Sequence, residues 1–240
     1  MTAFADRTTP EILEPPVAKK ARTTMILHGD ERVDDYAWLR DRTSAEVIAY
    51  LEAENAYADA MMKPAEPLQH ELYQEILGRL KQTDSSVPFR KGSWFYYSRT
   101  EEGKQYPIWA RKHQLDGLEE IILDVNQLAA GRRYMSVGTL EVSDDANLLA
   151  YSTDETGSRD YTLYVKDLRT GEVIARVADS TESVEWAADS RTLFYSVDND
   201  AKRQYRIYRH TLGSGEHTLV YEEEDELFDV WVERARSGDW

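Results

Sequence analysis

Hydrophobic positions along the chain change their spacing once, near residue 87. Before it, apolar residues recur every three to five positions. Val47, Ile48, Leu51, Ala58 and Met61/Met62 form one stripe, and Leu68, Leu72, Ile76, Leu77 and Leu80 form a second. That spacing lines one face of a helix. Thr43 followed by Glu46 fits a capping box, so the first helix is expected to start at Thr43. Pro64 should end it, and Pro67 suits the first turn of the next. A short proline-containing link allows the two helices to pack antiparallel. Ahead of them, residues 1–24 carry Pro10, Pro15 and Pro16 and the basic Lys19, Lys20 and Arg22. They read as an extended arm. Residues 25–82 read as a helical segment, opened by a turn-rich stretch from His28 to Asp41 that contains the aromatic anchor Trp38.

From Val87 the period becomes two. Residues 94–98 and 106–111 are aromatic runs around Glu102-Gly103, a hairpin signal. Residues 137–142, 148–153, 161–168 and 173–177 continue the alternation. An internal repeat then appears. A gapless shift of 44 residues superimposes Asp145 on Asp189, Leu149 on Leu193, Tyr151-Ser152 on Tyr195-Ser196, and Asp154 on Asp198. It also superimposes Arg159 on Arg203, Tyr161 on Tyr205, Tyr164 on Tyr208, Leu168 on Leu212, and Gly171-Glu172 on Gly215-Glu216. That makes 11 identities in 34 positions, against about two by chance. A weaker copy starts near Val87. Four short strands per unit of this length indicate a β-propeller blade, a small twisted sheet that can bury its two faces only against neighbours. The expected blades are residues 87–136, 137–180 and 181–225, with residues 227–233 opening a fourth. The fold class is mostly β: a helical segment followed by three-plus blades, an incomplete propeller over 89–240. Closed propellers need roughly 4–8 blades, so the chain reads as the front part of a longer protein.

Composition narrows the function classes. The 240 residues include 45 acidic and 29 basic side chains, a net charge of −16. Clustered basic residues, which phosphate contacts need, are lacking, so nucleic acid is not an expected partner. A cationic partner fits the field better, although solubility alone also explains it. With no cysteine, disulfides, thiolate metal sites and a cysteine nucleophile are excluded. No apolar run reaches transmembrane length. Asp6, Glu11 and Glu14 argue against a secretory signal, and a cytoplasmic location is expected. No nucleophile elbow, phosphate loop, dinucleotide fingerprint or metalloprotease motif occurs, so no catalytic, cofactor-binding or metal-ligating residue is assigned. The histidines at 28, 70, 113, 210 and 217 are scattered, with no partner at metal or triad spacing. The repeated aspartates read as turn formers rather than general acids. The acidic run from Glu222 to Glu226 reads as a solvated connection between strands.

The order of several short motifs adds a resemblance. Pro15-Pro16-Val17-Ala18, the stretch from His28 to Asp41 with Trp38-Leu39-Arg40-Asp41, and Tyr50-Leu51-Glu52-Ala53-Glu54-Asn55-Ala56-Tyr57 come first. Trp94-Phe95-Tyr96-Tyr97-Ser98-Arg99 and Tyr106-Pro107-Ile108-Trp109-Ala110-Arg111 follow. From about residue 15 the chain resembles the amino-terminal part of the prolyl oligopeptidase family, and most of all its oligopeptidase B (protease II) branch. The resemblance implies a serine peptidase with a seven-bladed propeller cap. An α/β-hydrolase domain carrying the Ser, Asp and His triad would follow the propeller and is absent from this chain. It implies short Lys/Arg-containing peptides as substrates, cleaved after the basic residue. It also implies that the helical segment packs on the hydrolase domain. The stretch 81–88 would be the single crossing, with residues 83–88 as a hinge strand. The isolated 240 residues should then be inactive. Cleavage after Pro, by a prolyl oligopeptidase proper, and a non-catalytic propeller scaffold are the alternatives.

Overall fold

Strand pairing begins earlier than the helical stripes suggest. The computed structural model describes residues 14–235 and residue 237, and the chain divides at Leu80–Lys81 into two compact units. In the first unit, β1 (Thr23–Leu27) pairs antiparallel with β2 (Asp30–Asp34). The turn between them holds His28 and Gly29 at φ 51° and 80°, the double positive-φ geometry of a tight two-residue hairpin. Residues 25–34, expected within a helical segment, therefore form a hairpin. Its side chains are mostly exposed, so no alternation marked it. The arm runs without regular structure from Glu14 to Arg22; its residues 1–13 lie outside the described residues. The arm is pinned by Trp38, whose indole N–H donates to the Lys19 carbonyl at 3.0 Å. The Lys19 ammonium stands 5.2 Å from that ring and pairs with Glu46.

α1 spans Ala45–Met62 and α2 spans Glu66–Arg79. The capping box does not form. Ser44 is the N-cap, with no side-chain cap bond, because the Thr43 hydroxyl donates instead to the Asp41 carboxylate at 2.8 Å. Nor do the helices turn back on each other. Met62, Lys63, Ala65 and Glu66 all keep right-handed helical backbone angles, so the chain carries on through the link. Pro64 and Pro67 sit at first-turn positions, where the missing N–H breaks no helical bond. Val47 is the sole buried residue of the pair. Ile48, Leu51, Leu72 and Ile76 stay exposed.

The second unit contains three four-stranded antiparallel sheets, each pairing its strands in chain order. The first has β3 (Phe89–Lys91), β4 (Trp94–Arg99), β5 (Ile108–Lys112) and β6 (Glu120–Asp124), followed by a short helix at Val125–Leu128. The second has β7 (Ser136–Val142), β8 (Leu148–Asp154), β9 (Thr162–Asp167) and β10 (Val173–Asp179). The third has β11 (Val184–Trp186), β12 (Thr192–Asp198), β13 (Gln204–Thr211) and β14 (His217–Glu222). These are the three blades that the repeat predicted. The opening strand expected at 227–233 is not formed, since the described residues from 223 to 235 contain no strand. That stretch still hydrogen-bonds at alternate N–H groups, Val230 to the Gln204 carbonyl at 2.9 Å and Val232 to Ser183 Oγ at 3.2 Å. It lacks the continuous carbonyl ladder of a paired strand.

The repeat identities have structural reasons. Asp145 and Asp189 close the first turn of blades 2 and 3 by accepting backbone N–H groups from Asn147, and from Arg191 and Thr192. Tyr151 faces Tyr164, and Tyr195 faces Tyr208, as cross-strand partners with ring centroids 5.8 and 5.9 Å apart. Ser152 Oγ accepts the Thr139 N–H, and Ser196 Oγ the Ser183 N–H, again 44 residues on. Gly171 and Gly215 take φ of 80° and 71°, which other residues adopt only at a cost.

Two apolar seams join the blades. Tyr96, Ile122 and Leu123 of blade 1 meet Val142, Leu149 and Tyr151 of blade 2. Leu148, Ala150, Leu163 and Val165 of blade 2 meet Val184, Trp186, Leu193 and Tyr195 of blade 3. Alternation on β8 thus serves both seams, odd residues toward blade 1 and even toward blade 3, and every residue of β8 is buried. Side chains fix the seams to neighbouring backbone. Lys166 Nζ donates to the Ile122 carbonyl at 3.0 Å, Lys91 Nζ to Val142 at 2.8 Å, and Trp186 Nε1 to Glu141 at 2.9 Å. Leu163, fully buried between blades 2 and 3, makes a direct test. Leu163→Ala should lower unfolding stability by about 2–5 kcal/mol, whereas Leu72→Ala on exposed α2 should stay within about 0.5 kcal/mol. Urea unfolding of both variants measures the difference.

Candidate functional site at the opening strands

β7 and β11, the opening strands of blades 2 and 3, approach each other, and they carry carboxylates at the repeat-equivalent positions Glu141 and Glu185. Lys91, from β3 of blade 1, stands 3.6 Å from the Glu141 carboxylate. Asp144, in the turn after β7, is held by the guanidinium of Arg234 at 2.5 and 2.9 Å. The Arg234 N–H donates to Glu185 at 3.2 Å. Three acidic side chains and two basic ones thus gather from three blades and the stretch after them.

The surroundings separate these carboxylates. Burial pushes the half-buried Glu141 carboxyl above the ordinary value, and Glu185 adds to this while Lys91 opposes it. Asp144 is held below the ordinary value chiefly by its bond to Arg234. A carboxyl raised in the folded state favours folding less when ionised, so its neutral form is the better tolerated one. The cluster binds an arginine side chain in the structure, and that is chemistry suited to cationic groups.

Other candidates are structural. Burial pushes the Asp154 carboxyl up, but N–H groups from Thr156, Gly157 and Arg159 accumulate on it and hold it below the ordinary value. Its repeat partner Asp198 lacks that cage, and burial raises it instead. The Thr156 hydroxyl donates to Asp154 at 2.7 Å, and Lys202 stands 3.8 Å from Asp198. Residues 81–88 lie against blade 1: Ser86 N–H donates to the Ser98 carbonyl, Thr100 N–H to the Asp84 carbonyl, and Glu102 N–H to Thr83 Oγ1. In the acidic run 222–226, Glu222 pairs with Arg206 at 2.9 Å, Glu223 accepts from the Tyr221 hydroxyl and the Asp225 N–H, and Arg203 donates to the Asp225 carbonyl at 3.2 Å.

His210 and His217 have no partner at metal or triad spacing along the sequence, yet they are cross-strand neighbours with ring centroids 4.3 Å apart. Sequence spacing hid this because the connection 211–216, with its turn closed by the Ser214 N–H on the Thr211 carbonyl, folds β14 back on β13. The two histidines flank that connection symmetrically, and this symmetry was the available signal. His113 stacks on Trp94 at 3.6 Å. Among the described residues, no group of three or more His, Asp or Glu side chains is placed to hold a metal ion. No helix among them is long and apolar enough to cross a membrane.

Successive four-stranded blades joined by apolar seams, preceded by a helical unit, define a β-propeller protein. The chain belongs to the peptidase S9 amino-terminal family: the model of the prolyl oligopeptidase N-terminal beta-propeller domain matches residues 15–240. It is 43% identical to dipeptidyl aminopeptidase BI of Pseudoxanthomonas mexicana, covering 98% of this chain and 35% of the relative. It is 37% identical to protease 2 of Moraxella lacunata, covering 93% and 34%. Its fold is similar to oligopeptidase B from Leishmania major, with a TM-score of 0.85, 28% identity and coverage of 92% of this chain and 34% of that one. Oligopeptidase B from Trypanosoma brucei with covalently bound antipain, in a closed form, also gives 0.85, at 30% identity and coverage of 94% and 35%. The chain therefore spans about a third of the length of these relatives.

Glu141 offers a test of the electrostatics. Its folded-state carboxyl lies above the unfolded value near 4.5, so ionisation opposes folding at pH 7. That opposition fades as pH falls through the folded value toward the unfolded one. Glu141→Gln should raise the urea midpoint at pH 7 and give a smaller gain at pH 4. Equilibrium unfolding at the two pH values checks both the sign and its disappearance.

Proposed function

We propose that the chain is the amino-terminal cap portion of a serine oligopeptidase that hydrolyses short peptides after Arg or Lys. The observation that carries this reading is the likeness to oligopeptidase B over more than nine-tenths of the chain. The net charge of −16 and the guanidinium held by Asp144 support a cationic substrate, since an acidic surface raises the local concentration of basic peptides. In the whole protein a Ser attacks the peptide carbonyl, a His takes its proton and an Asp orients the His. Those three residues belong to a hydrolase domain beyond this chain. The exposed apolar stripe of α1 and α2 is the surface that would pack on that domain. Residues 81–88, tied to blade 1, would form one strand of the hinge between cap and hydrolase.

A second reading rests on the 43% identical relative, named a dipeptidyl aminopeptidase. That enzyme class removes dipeptides from a free amino terminus. Blocked peptides ending in Arg, Lys or Pro before a fluorogenic group, and a free-amino dipeptide reporter, distinguish the readings. The full-length protein should cleave the blocked Arg and Lys reporters well and the Pro reporter poorly. Preference for the Pro reporter, or a requirement for the free amino group, contradicts the proposal. No cleavage by a correctly folded full-length protein would favour a binding scaffold. The 240-residue chain alone should cleave none of them, which the same assay measures.

A further inference from the structure

Blade 3 carries a titratable cluster that the proposed function does not use. The His210 and His217 rings stack with planes 12° apart. His210 is 7% exposed, while His217 is open to solvent. His210 Nδ1 lies 2.8 Å from the Glu216 carbonyl. A carbonyl only accepts, so this nitrogen carries the hydrogen, and Nε2 is where a second proton would add. His217 Nδ1 lies 2.6 Å from the Tyr195 hydroxyl. Tyr195 is a core residue of the seam between blades 2 and 3, so the stack connects directly to that seam.

The surroundings provide no counter-ion. Leu193, Tyr195, Tyr208 and Leu219 share the face of the sheet with the two rings by cross-strand pairing. Burial pushes the Tyr195 phenol up to about 12, so it stays neutral. Asp189, Arg209 and Glu216 line the opposite face. The blade 2 side of the seam core offers Leu148, Ala150, Leu163, Val165 and Val177, all apolar. A proton added to the pair thus enters between two touching rings with no carboxylate bonded to either.

We propose that the His210–His217 stack, with Tyr195, is a proton-sensitive clasp on the seam between blades 2 and 3, closed when both rings are neutral and loosened when the pair takes up a proton. Burial, and then His210, lower the His217 value below the ordinary 6.5, in keeping with this. The folded chain then binds fewer protons than the unfolded chain just below pH 6.5. Stability is complete above that pH and is lost as pH falls through it toward the folded value.

The test uses the full-length protein and two mass-spectrometric readouts. Exchange at the imidazole carbon between the two ring nitrogens reports each histidine's titration. Amide exchange, corrected for intrinsic rate, reports opening of 204–222. His217 should titrate below 6.5 and move up toward it in His210→Gln. Opening of 204–222 should increase several-fold from pH 7.5 to pH 5, and His217→Gln should abolish most of that increase. Tyr195→Phe, which keeps the ring and removes the hydrogen bond, should allow opening already at pH 7.5. Should His210→Gln fail to fold, the exposed His217→Gln and the conservative Tyr195→Phe still decide the matter. A His217 that titrates at or above 6.5, or equal pH dependence in wild type and His217→Gln, overturns the proposal.

Discussion

A four-stranded blade has two apolar faces and cannot bury either by itself, and the strand-rich unit depends on this constraint. Blade 2 solves it by lying between its neighbours, so that β8 is buried along its whole length. Burial of apolar surface supplies most of the stabilisation. Direction comes from the few polar side chains that cross the seams to reach backbone carbonyls: Lys166 to Ile122, Lys91 to Val142 and Trp186 to Glu141. Each satisfies a backbone acceptor near a packed seam and so sets how far one sheet can slide on the next. The opening strands are brought together by the same packing, which is why charges from three blades meet around Glu141 and Glu185.

Function follows from what this packing leaves over. The seams consume the aromatic and branched residues, and the charged residues remaining on the opening strands are Glu141 and Glu185 on β7 and β11 and Arg90 and Lys91 on β3. Asp144 and Glu185 hold an arginine from the chain itself, and the environment of each carboxylate decides whether it prefers its charged form. Nothing in this arrangement resembles a nucleophile with a base beside it. The chain belongs to the S9 amino-terminal family, and its arrangement is that of a propeller domain with charged side chains gathered at its opening strands.

Much of this was legible in the sequence because blades are local structures. Each strand pairs with the next, so a 44-residue period and turn residues such as Asp145, Asp189, Gly171 and Gly215 suffice to place them. The failures have specific causes. The β1–β2 hairpin is exposed on both faces, so no alternation announced it. Pro64 looked like a break, yet at a first-turn position it is compatible with continued helix. Thr43 found a nearer acceptor in Asp41. Residues 227–233 alternate like a strand, but a strand also needs a carbonyl ladder to pair with, which no local pattern reveals. The candidate site was the least legible part. Glu141 and Glu185 coincide at the 44-residue shift as a position shared by two opening strands, but their juxtaposition with Asp144 and Arg234 is tertiary. So is the meeting of His210 with His217, which required the hairpin register.

The central claim is that two seams around blade 2 hold the strand-rich unit together. Native-state amide exchange of the 240-residue chain tests it most directly. The account predicts that Leu148–Asp154 and Thr162–Asp167 exchange slowest, with β3, β14 and the exposed helices α1 and α2 markedly faster. Equal protection across the three blades, or slowest exchange in β14 or the helices, would contradict it.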